Sequence, residues 1–286
     1  MANTLYSRIQ DFYDASSGLW ERTWGEHMHH GYYGPTGSYK KERRQAQIDL
    51  IDECLQWAHI NQAQDILDCG CGIGGSSLDL ANRFGARVTG ITLSPVQAKR
   101  ARERAAAANL VQNAPPCVEF KVADALNTPF ADQSFDFIWS MESGEHMPDK
   151  VGLLQECYRL LQPGGKLLMA TWCHRPTDSL AGPLTPTEQQ QLNWIYEVYG
   201  LPYVISLPEY EEIAQTCGFR QLQTADWTQA VAPFWDEVIA SALTPEALVG
   251  LMQAGIGTLR GAFALWPMRQ GMQSGLIRYG LLQAVR

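Results

Sequence analysis

The segment Asp68-Cys69-Gly70-Cys71-Gly72-Ile73-Gly74-Gly75 constrains the fold of this chain more than any other. It follows a short apolar run, Ile66–Cys69, and opens a helical pattern over Ser76–Phe84. Glycines there permit a tight turn and a close approach of backbone to a ligand, while the helix N-terminus offers unpaired N–H groups. The chain then alternates between strand-like and helix-like spacing of apolar residues. Arg87–Ile91, Val118–Val122, Phe135–Ser140 and Lys166–Trp172 read as strands, the last entered through Pro163-Gly164-Gly165. Pro95–Ala108 and Val151–Leu160 read as intervening helices. Strands joined through helices imply right-handed crossovers and a mainly parallel sheet.

The flanks have a different texture. Tyr6, Ile9, Phe12 and Tyr13 recur at helical spacing, as do Ile48, Ile51, Cys54 and Leu55, with an aromatic and histidine-rich stretch, Leu19–Tyr39, between them. Beyond Trp172, prolines 176, 183 and 186 lead into a helix over Thr187–Tyr199, and Pro208 opens another that stops at Gly218. Leu222–Trp227 reads as a sixth strand and 232–273 as an apolar helical insertion. Gly275–Arg286 reads as a terminal strand that ends the sheet. We expect an N-terminal helical lid over 1–60 and a ligand-binding core over 61–172. The rest of the sheet follows over 173–286, with cap insertions at about 173–205 and 232–273.

A formal net charge of −8 argues against nucleic acid as the partner, because phosphate tracking needs clustered Lys and Arg. The runs Lys40–Arg44 and Lys99–Arg104 are interrupted by Glu and read as solvated helix faces. Seven cysteines without a CxxC pair suggest reduced thiols, and no signal or transit pattern is seen. The expected setting is cytoplasmic, with at most peripheral contact with a membrane, since no apolar run is long enough to span one.

Gly70, Gly72 and Gly75 also satisfy the dinucleotide pattern GxGxxG, a weak signal alone. Two features point elsewhere. Asp68 stands where a carboxylate meets the ammonium of a zwitterionic tail, and no acid ends the second strand to accept from a nicotinamide ribose. The Asp-x-Gly-x-Gly-x-Gly turn resembles motif I of class I S-adenosylmethionine-dependent methyltransferases. Three further motifs follow in order: Ala123-Asp124-Ala125, Pro129-Phe130 through Ser134-Phe135-Asp136, and Leu160 to Lys166. The resemblance implies an α/β, Rossmann-like class I methyltransferase sheet, mainly parallel with an antiparallel terminal strand, plus helical lid and cap insertions. It also implies S-adenosylmethionine as methyl donor and S-adenosylhomocysteine as product.

For the donor, the expected contacts are Asp68, Gly70, Cys71, Gly72, Gly74, Asp124, Ala125 and Ser140, with Tyr32 and Tyr33 closing from the lid because aromatic faces attract the sulfonium cation. Thr92 replaces the usual acid, and Thr92-Leu93-Ser94-Pro95-Val96-Gln97 looks like the variant of lipid cyclopropane synthases, in which Thr92 and Gln97 would reach the ribose. Ser94 before Pro95 reads as a helix cap. After the fourth strand, Ser140-Met141-Glu142-Ser143-Gly144-Glu145-His146-Met147 gathers two carboxylates and an imidazole at the sheet edge where ligands lie. His27, His29 and His30 admit a metal reading, but no second ligand cluster matches it and none is expected.

The runs Phe12–Glu21, Trp24–Gly34, Arg44–Ile51, Glu142–Pro148, Ala170–Pro176 and Ala225–Trp235 resemble one family, the gamma-tocopherol C-methyltransferases. That resemblance implies methylation of a chromanol ring carbon, gamma- to alpha-tocopherol and delta- to beta-tocopherol. A phenol near pKa 10 is roughly one part in a thousand ionised at pH 7, a deficit of about 4 kcal/mol that a positioned base recovers in part. Glu145 and His146 are the leading base candidates, with Glu142 and His29 or His30 in reserve. Trp24, Trp172, Tyr203 and Trp235 are candidates to line the acceptor site. Leu248, Leu251, Met252, Ile256, Leu259, Phe263, Leu265 and Trp266 suit an isoprenoid tail, with Arg260 and Arg269 available to a membrane surface. Rival readings are an indole or amine N-methyltransferase, a phytylquinol C-methyltransferase, a nicotinamide-dependent reductase and a non-catalytic donor sensor.

Overall fold

The computed structural model describes Gln10, Asp14, Glu21, residues 25–242 apart from 179 and 181, and residues 256–286; of 241–242 and 256–264 only backbone is described. The expected helix around Tyr6–Tyr13, Trp24, and the tail-groove side chains from Leu248 to Phe263 lie outside the described residues.

Helix α1 (Arg43–Trp57) buries Leu50, Ile51 and Cys54 completely. The alternation follows: β1 (Asp65–Cys69), α2 (Gly75–Phe84), β2 (Arg87–Thr92), α3 (Pro95–Ala107), β3 (Cys117–Val122) and β4 (Phe135–Met141). Then come α4 (Lys150–Leu160), β5 (Leu161–His174), α5 (Pro186–Tyr199), α6 (Leu207–Cys217) and β6 (Arg220–Asp226). The chain closes with α7 (Thr228–Val231), α8 (Pro233–Ala242), α9 (Ile256–Ser274) and β7 (Ile277–Val285). Each expected core element is present within a few residues of its sequence bounds.

The strands form one sheet in the order β3-β2-β1-β4-β5-β7-β6. The first five are parallel, and β7 runs antiparallel to both its neighbours. One expectation is corrected here. The last strand of the chain does not end the sheet, because β7 inserts between β5 and β6. Its side chains are buried on both faces, whereas those of β6 are largely exposed or half-buried, as an edge requires. Helices α1, α2, α3, α5 and α7–α9 cover one face, and α4 and α6 cover the other.

Strand order reverses between β1 and β4, whose carboxyl ends therefore flank a crevice. On α9, Trp266 stands 59% exposed with the Arg269 guanidinium over its ring. That guanidinium is already paired with Asp236. Among the described residues no helix is long and apolar enough to cross a membrane.

Candidate active site

The glycine turn is anchored before it can hold anything. Gly70 and Cys71 both donate to the Ile91 carbonyl of β2, at 3.0 and 2.9 Å. Gly70 adopts φ +92°, and a Cβ there would fall 2.3 Å from Cβ of Ser143, so the β4 loop lies directly on the turn. Gly75 is approached from the other side, its Cβ position being 2.4 Å from the Glu26 carbonyl oxygen. The N-terminal segment is thereby seated over the start of α2.

A cavity with about 950 Å³ of empty space, its mouth included, opens at this switch point. Asp68, Gly70, Cys71, Gly72, Thr92, Gln97, Ala125, Glu142, His146 and His29 line it, as the sequence reading expects. Asp68 is buried, and burial pushes its carboxyl up to about 7 against a single side-chain donor, the Ser77 hydroxyl. A carboxylate so poorly compensated favours a cationic partner such as an α-ammonium. Thr92 donates to Oε1 of Gln97 at 2.7 Å, which joins the two expected ribose contacts into one polar corner. Ser94 caps α3 by accepting from the Gln97 N–H at 3.0 Å, with Pro95 at the first helical position. An acid below, an open glycine turn and a hydroxyl–amide corner at the end of β2 together fit S-adenosylmethionine.

Other expected donor contacts are placed elsewhere. Asp124 accepts from the Leu126 N–H at 2.9 Å in a local turn, and it is the flanking Ala123 and Ala125 that line the cavity. Ser140 shares a hydrogen bond with Ser143 at 2.8 Å, behind the lining. Gly74 faces Phe120. Tyr32 and Tyr33 are corrected outright: both are buried, 7% and 2% exposed, and neither reaches the cavity. The Tyr32 ring packs on Trp227, and the Tyr33 N–H donates to the Ala230 carbonyl, so core packing claims both. The lid residues that do line the cavity are Gln10, Glu26, His27, Met28 and His29.

The loop after β4 separates the leading base candidates. Glu142 ends the strand at φ +50°, which turns its carboxylate beside the cavity. Its Oε1 accepts from the His30 N–H at 2.7 Å and the Tyr279 hydroxyl at 3.0 Å, and its Oε2 from His30 Nδ1 at 2.8 Å. Burial alone would raise Glu142, but the facing His30 outweighs it and holds the carboxyl below its ordinary value. Glu145 is turned away from the cavity, and its Oε2 accepts from the Thr171 hydroxyl at 2.8 Å. Burial, with Glu142 nearby, pushes Glu145 up to about 8. His146 lines the cavity, where burial and Lys150 push it down to about 3. His29 lies lower than usual through burial, its Nδ1 paired with the His30 carbonyl oxygen at 2.8 Å. The geometry thus demotes Glu145 and brings the reserve pair, Glu142 and His30, together.

Beyond Glu142 lies an aromatic group. His30 meets Phe234 at 4.7 Å, Trp235 at 5.2 Å, Tyr279 at 5.4 Å and Trp172 at 5.9 Å between ring centroids. Trp172 and Trp235 thus pack around the Glu142–His30 pair, 7% and 2% exposed, and neither lines the cavity itself. Tyr203 is not part of this group: it is 39% exposed, with the Lys150 ammonium 4.9 Å from its ring centroid. Lys150 itself donates to the carbonyls of Gly144, Glu145 and Met147 at 2.7–3.0 Å, tying down the whole loop. Sequence reasoning missed Lys150, Phe234 and Tyr279 as parts of this arrangement; Lys150, close after the loop, and Phe234, beside Trp235, offered a local signal, and Tyr279 none. Among the described residues, no group of three or more His, Cys, Asp or Glu is placed to hold a metal ion.

A family model described as a methyltransferase domain matches residues 67–169, which contain the glycine turn and both sides of the crevice. Fold and site together define a class I S-adenosylmethionine-dependent methyltransferase. The chain is 44% identical to the chloroplastic tocopherol O-methyltransferase of Arabidopsis thaliana, over 97% of this chain and 81% of that protein. It is 36% identical to the 2-methyl-6-phytyl-1,4-hydroquinone methyltransferase of Synechocystis, over 97% of this chain and 87% of that one. The solved geranyl diphosphate C-methyltransferase of Streptomyces coelicolor A3(2) shares the fold, with a TM-score of 0.76 at 22% identity over 99% of this chain and 97% of that one. The chain belongs to the tocopherol methyltransferase family.

Proposed function

We propose that this chain moves the methyl group of S-adenosylmethionine onto an aromatic ring carbon of a lipophilic chromanol, turning gamma- into alpha-tocopherol and delta- into beta-tocopherol. The observation that carries this reading is the buried Glu142–His30 pair, which runs from the wall of the donor cavity into the aromatic group. The donor, when bound, supplies an electrophilic methyl. The chain's own residues must then make the acceptor nucleophilic, hold it in line and keep water out. Glu142 is ionised and accepts from His30 Nδ1, which orients the imidazole and supports a positive charge on it. Trp172, Trp235 and Phe234 surround His30 with apolar ring surface, against which a chromanol ring would pack. Alignment of carbon and methyl within about 3–3.5 Å supplies much of the remaining acceleration.

A phenolate is nucleophilic at oxygen and at its ortho carbon, so the product distinguishes two outcomes. Incubation with gamma-tocopherol and methyl-labelled donor is expected to give a labelled ring methyl with the phenol retained, read by NMR of the extracted product. A labelled methoxy group would transfer the reading to oxygen. Labelling of phytylquinols or indole amines alone would remove the chromanol. In this reading residues 1–60 act as the lid, 61–172 seat the donor, and 173–286 complete the sheet and cap the acceptor.

A further inference from the structure

Three ring nitrogens beyond the donor cavity are buried with no hydrogen-bond partner among the described residues: His30 Nε2, Trp172 Nε1 and Trp235 Nε1. Their residues are 1%, 7% and 2% exposed. The three rings form one contact group, with His30 5.9 Å from Trp172 and 5.2 Å from Trp235, and the two indoles 6.2 Å apart. An indole N–H can only donate. A buried donor left unmade carries its full desolvation penalty, so two neighbouring ones call for an acceptor oxygen, best of all an anionic one. His30 differs. Glu142 can only accept, so Nδ1 keeps its proton there, and the neutral ring carries its lone pair on Nε2. One proton acceptor and two donors, buried among aromatic rings, are what a phenol needs in order to ionise.

We propose that His30, Trp172 and Trp235 bind the phenolic oxygen of the acceptor, with His30 Nε2 taking its proton and the two indole N–H groups holding the phenolate. The inference rests on the hydroxyl-bearing aromatic acceptor argued above and assigns the atoms that recognise it. The O–H bond breaks as N–H forms on His30, and Glu142 balances the imidazolium. The ortho carbon's electron pair then forms the new C–C bond while the donor's carbon–sulfur bond breaks. Loss of the ring proton to solvent restores aromaticity, and the imidazolium returns its proton to the oxygen. One proton is released per turnover. An acceptor without an oxygen at this position leaves both indoles unpaired, which selects phenols over amines.

The test separates this inference from the substrate assignment by reading ionisation without turnover. The probe is a tail-less nitrochromanol, coloured only as its phenolate, titrated into the full chain with S-adenosylhomocysteine. Wild type is expected to lower the probe's apparent pKa by about one unit or more. Trp172→Phe and Trp235→Phe should each restore most of it and reduce kcat on gamma-tocopherol about 10- to 100-fold, with S-adenosylhomocysteine affinity unchanged within about threefold. In 15N-labelled wild type, the Trp172 and Trp235 indole signals should move when the probe binds, a readout that needs no variant to fold. Equal ionisation in wild type and both variants, or indole signals that stay still, overturns the proposal. A wild type that ionises the probe yet methylates no chromanol supports the phenolate site and sinks the substrate assignment alone.

Discussion

Glu142 and Glu145 stand one helical turn apart in sequence, and burial acts on both, yet the fold gives them different charges. Glu142 faces His30 and Tyr279 and stays ionised. Glu145 finds one hydroxyl, Thr171, with Glu142 nearby, and its carboxyl rises to about 8. Stability follows from the second residue. Below about pH 4.5 Glu145 is protonated in both states; between there and about 8 the folded chain keeps a proton that the unfolded chain releases. Stability therefore falls as pH rises through that window, by up to a few kcal/mol from this group. Asp68, raised to about 7 by burial, slopes the same way, whereas Lys150, lowered to about 8 by burial, acts only at higher pH and with opposite sign. Glu145→Gln keeps a polar partner for Thr171 without the titration. Urea midpoints are expected to show the variant gaining on wild type from pH 5 to pH 8, by about 1 kcal/mol or more. A constant difference across those pH values would place the titration elsewhere.

At the scale of elements, the cavity is made by segments that meet rather than by any one motif. The stretch Glu26–His29 forms one wall, and its fit depends on Gly75, the first residue of α2, where a Cβ would meet the Glu26 carbonyl at 2.4 Å and His27 Nδ1 at 2.8 Å. Alanine suits a helix's first turn, so Gly75→Ala should leave α2 intact and displace the wall instead. Calorimetry is expected to show S-adenosylhomocysteine affinity reduced about tenfold, on the order of 1.4 kcal/mol, with a smaller loss of stability. Unchanged affinity would mean that the wall does not contribute to the donor site. The same contrast explains what was legible in the sequence. Strand–helix alternation, the glycine turn and the Ser94 cap are local patterns, and all three stand where the residues place them. The direction of each side chain after β4 is not local. Glu142 at φ +50° breaks the strand period, and the short 3-10 turn Gly144–His146 then sends Glu145 and His146 to different surroundings. Tyr32 and Tyr33 likewise read as lid aromatics until Trp227 and Ala230, some two hundred residues on, claim them for the core. The inner position of β7 is a pairing fact that its apolar texture on both faces hinted at without naming its neighbours.

At the scale of the molecule, donor binding joins parts of the chain that are far apart in sequence. Residues from Gln10 to Met147 line one cavity, so a ligand there ties the lid segment to β1, β2 and β4. Such a ligand stabilises the whole fold by mass action, about 2.7 kcal/mol at a hundred times its dissociation constant. For a chain of this size each kcal/mol moves Tm by roughly 2–4 °C, so S-adenosylhomocysteine is expected to raise Tm by about 5–10 °C. NAD provides the contrast, because its ribose wants a carboxylate at the end of β2. Thr92, which carries no charge, stands there instead. The expected shift with NAD at equal concentration is under about 1 °C by scanning calorimetry. A larger shift with NAD than with S-adenosylhomocysteine would return the glycine turn to its dinucleotide reading, and with it the choice between hydride and methyl chemistry at the Glu142–His30 pair.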